Sequence, residues 1–169
     1  MTAVKKKNST ASDVDSNTAT SPEVAAATRV LRLEAEAIQA LVDQVDGAFG
    51  ETIEILHQVS GRIIVTGMGK SGHIARKIAA TLASTGSPAQ YVHPGEASHG
   101  DLGMITDEDA VIALSNSGET DELRDLMEYS RRYSIPLIAI TSRDNSTLGD
   151  MADTVLLLPD VPEGCPMGL

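Results

Sequence analysis

Tryptophan is missing from this 169-residue chain, phenylalanine occurs once, and aromatic residues together make up 2%. Any core must therefore be built from Ile, Leu, Val, Ala and Met. A single cysteine, Cys165, excludes an internal disulfide framework and fits a reducing compartment. Basic residues are few: 13 Lys and Arg stand against 24 Asp and Glu, a formal net charge of −11. Nucleic-acid backbones are held by clustered Lys and Arg, so this balance argues against a nucleic-acid partner. No apolar run approaches the roughly 18 residues of a membrane span. The charged N-terminus also lacks the apolar stretch of a secretory signal. These absences predict a cytoplasmic protein that engages neither membrane nor nucleic acid.

What is present suffices for one domain of ordinary size, since 41% of residues are hydrophobic. Residues 1–22 carry hardly a large apolar side chain and read as a disordered tail, unable to offset their ordering entropy by burial. Ser21 followed by Pro22 reads as a helix cap with proline at the first helical position. Val30, Leu31, Ile38, Leu41, Val42 and Val45 then recur at helical spacing, predicting a long amphipathic helix to about Asp46. Phe49, Ile53, Leu56 and Val59 mark a second helix. Apolar stripes of this kind are usually core, and a partner contact is their less common use.

The organising stretch runs from Arg62 to Gly72. The apolar run Ile63-Ile64-Val65-Thr66 meets glycines at 67, 69 and 72, as a buried parallel strand does at its end. Ile74, Ile78 and Leu82 at spacing four put one face of a helix directly after it. The unit is strand, glycine turn and helix, and a helix N-terminus favours an anion such as phosphate. The glycines fit a dinucleotide fingerprint, but that motif wants an acidic residue about 20 positions on, and Val92-His93-Pro94 offers none. The Gly69-Lys70-Ser71 triplet resembles a nucleotide P-loop, yet position 64, where a glycine is required, is Ile. An anion-binding turn containing a lysine survives. Its plain alternative is a turn that only packs strand on helix.

Strand and helix signals alternate onward: strands at Ala89–His93, Ala110–Leu114, Pro136–Thr141 and Thr154–Leu158, and helices around Leu123–Met127 and Ser146–Asp150. Such alternation predicts a five-stranded parallel sheet with helices on both faces, a three-layer α/β/α sandwich of flavodoxin-like type. Ligands of such sheets bind beyond the carboxyl ends of the strands. The unusual residues fall there, in 67–71, 93–101 and 115–120. Ser115-Asn116-Ser117-Gly118-Glu119-Thr120 offers four side-chain donors around a glycine, enough to hold a phosphate without an arginine cluster. A helix cap would need only one of them.

Four segments in order and at family spacing, Gly67–His73, His93–Met104, Ser115–Thr120 and Glu163–Leu169, resemble the arabinose-5-phosphate isomerase family of sugar isomerase (SIS) domains. The resemblance covers roughly residues 24–169. It implies an aldose–ketose isomerase interconverting D-arabinose 5-phosphate and D-ribulose 5-phosphate through an enediol, feeding Kdo and lipopolysaccharide biosynthesis. It further implies a cradle for the substrate from Gly69, Ser71, Ser115, Asn116, Ser117, Gly118, Glu119 and Thr120. Lys70, His99, Glu122 and Glu163 fall where the family has catalytic groups, and His93 where relatives carry an inhibitory zinc. No cofactor is implied as required. The family's homo-oligomeric, tetrameric state is the expectation for partners. A non-catalytic phosphosugar sensor on the same fold is the alternative. Relatives continue past Pro-Met-Gly-Leu with a further helix, a histidine and paired regulatory CBS domains, none of which follows Leu169, so a truncated form is expected. The set His93, Glu96, His99 and Asp101 carries metal-ligating residue types, but its spacing differs from familiar zinc sites.

Overall fold

A computed structural model of the protein describes residues 21–165. Of the tail expected over residues 1–22, residues 1–20 lie outside the described residues, as do the last residues of the Glu163–Leu169 motif, whereas Ser21 and Pro22 belong to the start of the first helix. Helix α1 spans Pro22–Val42, and the Ser21 hydroxyl accepts the Val24 N–H at 3.4 Å to start it. It ends short of Asp46 because Asp46 has another task. Its carboxylate accepts the Ala48 N–H at 2.9 Å and caps α2, Gly47–Gln58.

Five strands follow: β1 (Ile63–Gly67), β2 (Ala89–Val92), β3 (Ala110–Leu114), β4 (Leu137–Thr141) and β5 (Thr154–Leu157). All pair in parallel in the order β2-β1-β3-β4-β5. β1 and β3 lie inside the sheet and every one of their residues is buried, which is why they read as unbroken apolar runs. Ile64, Val111, Ala113, Leu137 and Ala139 pack on one face beneath α5 (Arg124–Tyr133) and α6 (Thr147–Met151). Ile63, Val65, Ile112, Leu114 and Ile138 pack on the other beneath α2 and α3 (Gly69–Ser84). The three-layer sandwich expected from the alternation is the fold observed.

Three local expectations differ. The sheet-facing side of α3 is Gly72, Ala75 and Ala79, with Ile78 and Leu82 beside it, whereas Ile74 is 56% exposed. The helix lies too close to β1 for a larger residue: a Cβ on Gly72 would stand 2.6 Å from the Gly67 carbonyl oxygen. The apolar stripe of α1 is not core either. No residue of α1 is buried, and Leu31 and Ile38 are 65% and 68% exposed. Residues 93–101, expected as a loop beyond the second strand, contain a short helix α4 (Pro94–Ser98) and lead into a 3-10 turn (Asp101–Met104). Elements this short leave too few residues for a period to show.

Candidate functional site

The strand order reverses between β1 and β3, whose neighbours in sequence run off in opposite directions. At such a switch point the turns leaving the two strands diverge and open a crevice at the carboxyl edge. Gly67 and Leu114 are register partners there. The chain's two most unusual turns, 67–71 and 115–120, therefore start side by side.

The first turn becomes the N-terminus of α3. Met68 stands at the cap position and makes no side-chain capping bond, and Gly69 adopts φ +53°. Gly69, Lys70 and Ser71 are the first three residues of the helix, where backbone N–H groups have no intrahelical acceptor. This is an anion-seeking end with Lys70 exposed within it. Tyr91, which sequence reasoning passed over, supports the turn from below. Its hydroxyl donates to the Gly67 carbonyl at 3.0 Å, and the Arg76 guanidinium stacks 3.9 Å from its ring centre. The aromatic in β2 opposite a glycine turn was the available signal.

The second turn is organised around Ser115, which is 3% exposed. Its hydroxyl accepts the Gly118 N–H at 3.0 Å and lies 2.7 Å from the Thr120 hydroxyl. One hydroxyl of that pair donates to the other, which leaves the second proton for a ligand. Ser117 stays exposed, accepting the Glu119 N–H at 3.2 Å. The reading of this loop as a helix cap fails. The helix after it opens with a 3-10 turn, Asp121–Leu123, and neither Thr120 nor Leu123 makes a side-chain capping bond. Glu122 accordingly sits in that 3-10 turn rather than in the first turn of an α-helix.

The remaining candidates divide. His99 closes α4, and α4 packs against the turn that carries Glu122 and against α5. His99 and Glu122 thus stand on neighbouring elements at the carboxyl edge, both exposed. Glu163 lines a groove of about 530 Å³ with Asn116, Ser142 and α1 residues including Leu33, Ala37 and Leu41. Lys70, Ser71, His99 and Glu122 are not among the residues lining it. Glu119, expected among the substrate contacts, points its carboxylate elsewhere: it accepts the Thr147 N–H at 2.8 Å and the Thr147 hydroxyl at 2.6 Å.

His93, where the resemblance implies a zinc, has one ring nitrogen engaged within the fold. It caps α4 by accepting the Gly95 N–H on Nδ1 at 3.1 Å. Among the described residues no three His, Cys, Asp or Glu side chains come together as a metal group. Among the described residues, no helix is long and apolar enough to cross a membrane.

The family model described as the SIS domain matches residues 55–167, which include both turns and the whole sheet. The chain belongs to the SIS domain family. This SIS domain is 49% identical over 141 residues to arabinose 5-phosphate isomerase KdsD of Yersinia pestis, covering 83% of this chain and 43% of that protein. It is 48% identical over 140 residues to KdsD of Escherichia coli strain K12, with the same shares. The chain thus spans less than half the length of these curated relatives. Among solved structures, E. coli CFT073 c3406 in complex with arabinose 5-phosphate superimposes with a TM-score of 0.82 at 37% identity. That match covers 87% of this chain and 78% of the other.

Proposed function

We propose that this SIS domain is the isomerase domain of an arabinose 5-phosphate isomerase, interconverting D-arabinose 5-phosphate and D-ribulose 5-phosphate. The observation that carries the reading is the pairing of two anion-seeking turns at the β1/β3 switch point, in a chain 49% identical to KdsD. A chain with net charge −11 holds a phosphate best with neutral donors and one well-aimed cation. The uncapped α3 N-terminus, Ser71, Ser115, Ser117 and Thr120 supply the donors, and Lys70 the charge.

With the phosphate anchored, the chemistry is a proton transfer between adjacent carbons. A base takes the proton from C2 of the open-chain aldose, giving an enediolate. A proton returns to C1, and the O2 proton moves to O1, so the carbonyl passes from C1 to C2. No electron or group is exchanged with a second reactant, so no redox cofactor is required. Glu122 is read as the base, Lys70 as the charge that stabilises the enediolate, and His99 and Glu163 as groups that move protons on the oxygens. The place of this reaction, rested on the family resemblance, is supply of arabinose 5-phosphate to Kdo for lipopolysaccharide, in the cytoplasm. A coupled assay with D-arabinose 5-phosphate beside a calorimetric titration with the ketose tests the reading. Turnover supports it; binding without turnover favours the sensor alternative; absence of both overturns it.

The chain is further read as a homo-oligomer, a tetramer, with a second copy covering α1. A helix of 21 residues with none buried takes little support from its own fold, and Leu31 and Ile38 leave an apolar stripe in water. Sedimentation should give an oligomer for the parent and a smaller species for Ile38→Glu. A parent that sediments as a monomer at tens of micromolar removes this part of the reading.

A further inference from the structure

We propose that Glu119 is a positioning residue, which with Thr147 clamps the serine loop against the segment opening α6 and holds the phosphate cradle in its binding shape. The inference rests on the reading of that loop as the cradle. A glutamate inside the loop is otherwise hard to understand, since a carboxylate turned toward a bound phosphate would repel it. The structure turns it the other way. Both carboxylate oxygens are used on one residue, Oε1 on the Thr147 N–H and Oε2 on its hydroxyl. Those same bonds, the hydroxyl's first, hold the Glu119 carboxyl below the usual carboxylate range.

The clamp does not act alone, and its neighbours show what it fixes. The Gly118 carbonyl accepts the Leu148 N–H at 3.0 Å. The Asn116 carbonyl accepts the Ser142 N–H at 3.1 Å and the Ser142 hydroxyl at 2.7 Å. Ser146 fills the space where a Cβ on Gly118 would stand. Three loop positions (116, 118 and 119) are therefore fastened to residues 142–148, while Ser117 between them remains exposed. Loop closure fixed before binding spares the ligand the ordering entropy of the loop. Of these fastenings only Glu119 is a side chain of the loop itself, so it is the one a substitution can release without touching the backbone.

The test compares Glu119→Ala, Thr147→Val and Thr147→Ser with the parent chain by amide hydrogen exchange and by titration with ribulose 5-phosphate. Loss of a hydrogen bond to a charged group should speed exchange over residues 116–119 roughly tenfold in Glu119→Ala and Thr147→Val. Amides of β1 and β3 should keep parental rates, and Thr147→Ser, which keeps both donors, should restore the loop. The dissociation constant should rise by a similar factor in the two released variants, with kcat little changed wherever turnover is measurable. Parental exchange in both released variants overturns the clamp. Faster exchange with unchanged affinity overturns its role in binding. If the parent chain itself binds no pentose phosphate, the functional reading fails, and the exchange comparison still decides whether the clamp exists.

Discussion

Gly67 ends β1 directly beside Leu114, the last residue of β3, and the two turns proposed to hold the phosphate leave the sheet from this pair. Their proximity is a property of the sheet register, not of either loop. A parallel sheet in the order β2-β1-β3-β4-β5 has one place, between β1 and β3, where two adjacent strands send their connections away from each other along the sheet. The α3 turn goes to one face and the α5 segment to the other. Two loops that are 43 residues apart, from Gly72 to Ser115, thus start side by side because the strands before them are register partners.

Gly118 tests how tightly the second loop is built. Its φ is +70°, and a Cβ there would overlap the Ser146 side chain. Gly118→Ala should therefore cost about 1–3 kcal/mol of stability through backbone strain alone, with weaker phosphosugar binding as the loop shifts. Thermal unfolding beside a ribulose 5-phosphate titration checks both. A parental melting temperature would mean that the backbone at 118 leaves its positive φ and that Ser146 moves aside freely.

The sheet, its five strands and the two glycine-and-serine turns were legible because each carries a strong local signal. Apolar β-branched runs end at glycines, and hydroxyl residues cluster where a cap would need one. Less legible were features set by contacts between distant segments. Nothing in the local pattern around Glu119 marks Thr147 as its partner, 28 residues away. Nor does the periodicity of Ile74, Ile78 and Leu82 reveal that α3 approaches β1 on its small residues. The α1 stripe has the pattern of a core helix and lies exposed; amphipathic spacing tells that a face seeks cover, not what covers it.

The two serines should separate in experiment. Ser115 is buried and organises the loop through Gly118 and Thr120, whereas Ser117 is exposed. Ser115→Ala leaves a buried N–H without its side-chain acceptor and should lower stability by about 1 kcal/mol as well as affinity. Ser117→Ala should weaken phosphosugar binding with little change in melting temperature. The double variant should lose about 1.5–3 kcal/mol of binding for each hydrogen bond to the charged oxygens. Unchanged affinity for ribulose 5-phosphate in the double variant would remove the loop from the phosphate site.

Acid should weaken the loop through Glu119. Its carboxyl is held below the usual range by the Thr147 hydroxyl and N–H. A depressed folded-state value means that the stabilisation is present above the ordinary glutamate range and is lost as pH falls through the lowered value. The difference in melting temperature between the parent and Glu119→Gln should therefore be largest near neutrality and shrink between about pH 5 and pH 3. A difference that holds constant across that window would show that ionisation of Glu119 plays no part.

The proposed chemistry assigns the base to Glu122. It stands in the 3-10 turn directly after the serine loop, on an element packed against α4, which His99 closes. Glu122→Gln keeps the shape of the side chain and its hydrogen bonding but removes its capacity to accept a proton. In an active form of the protein, ribulose 5-phosphate affinity should change little while turnover falls by roughly 10²–10⁴, the usual contribution of a positioned general base. Lys70→Met should reduce affinity and turnover together, because a charge near both phosphate and enediolate acts on ground state and transition state alike. Deuterium uptake from solvent isolates the proton-abstraction step from the rest of the cycle. On the proposed reading the parent should exchange the carbon-bound proton of the pentose phosphate, and Glu122→Gln should not. Exchange at the parental rate in Glu122→Gln would transfer the base to another group, and His99, on the neighbouring element, would be the residue to substitute next.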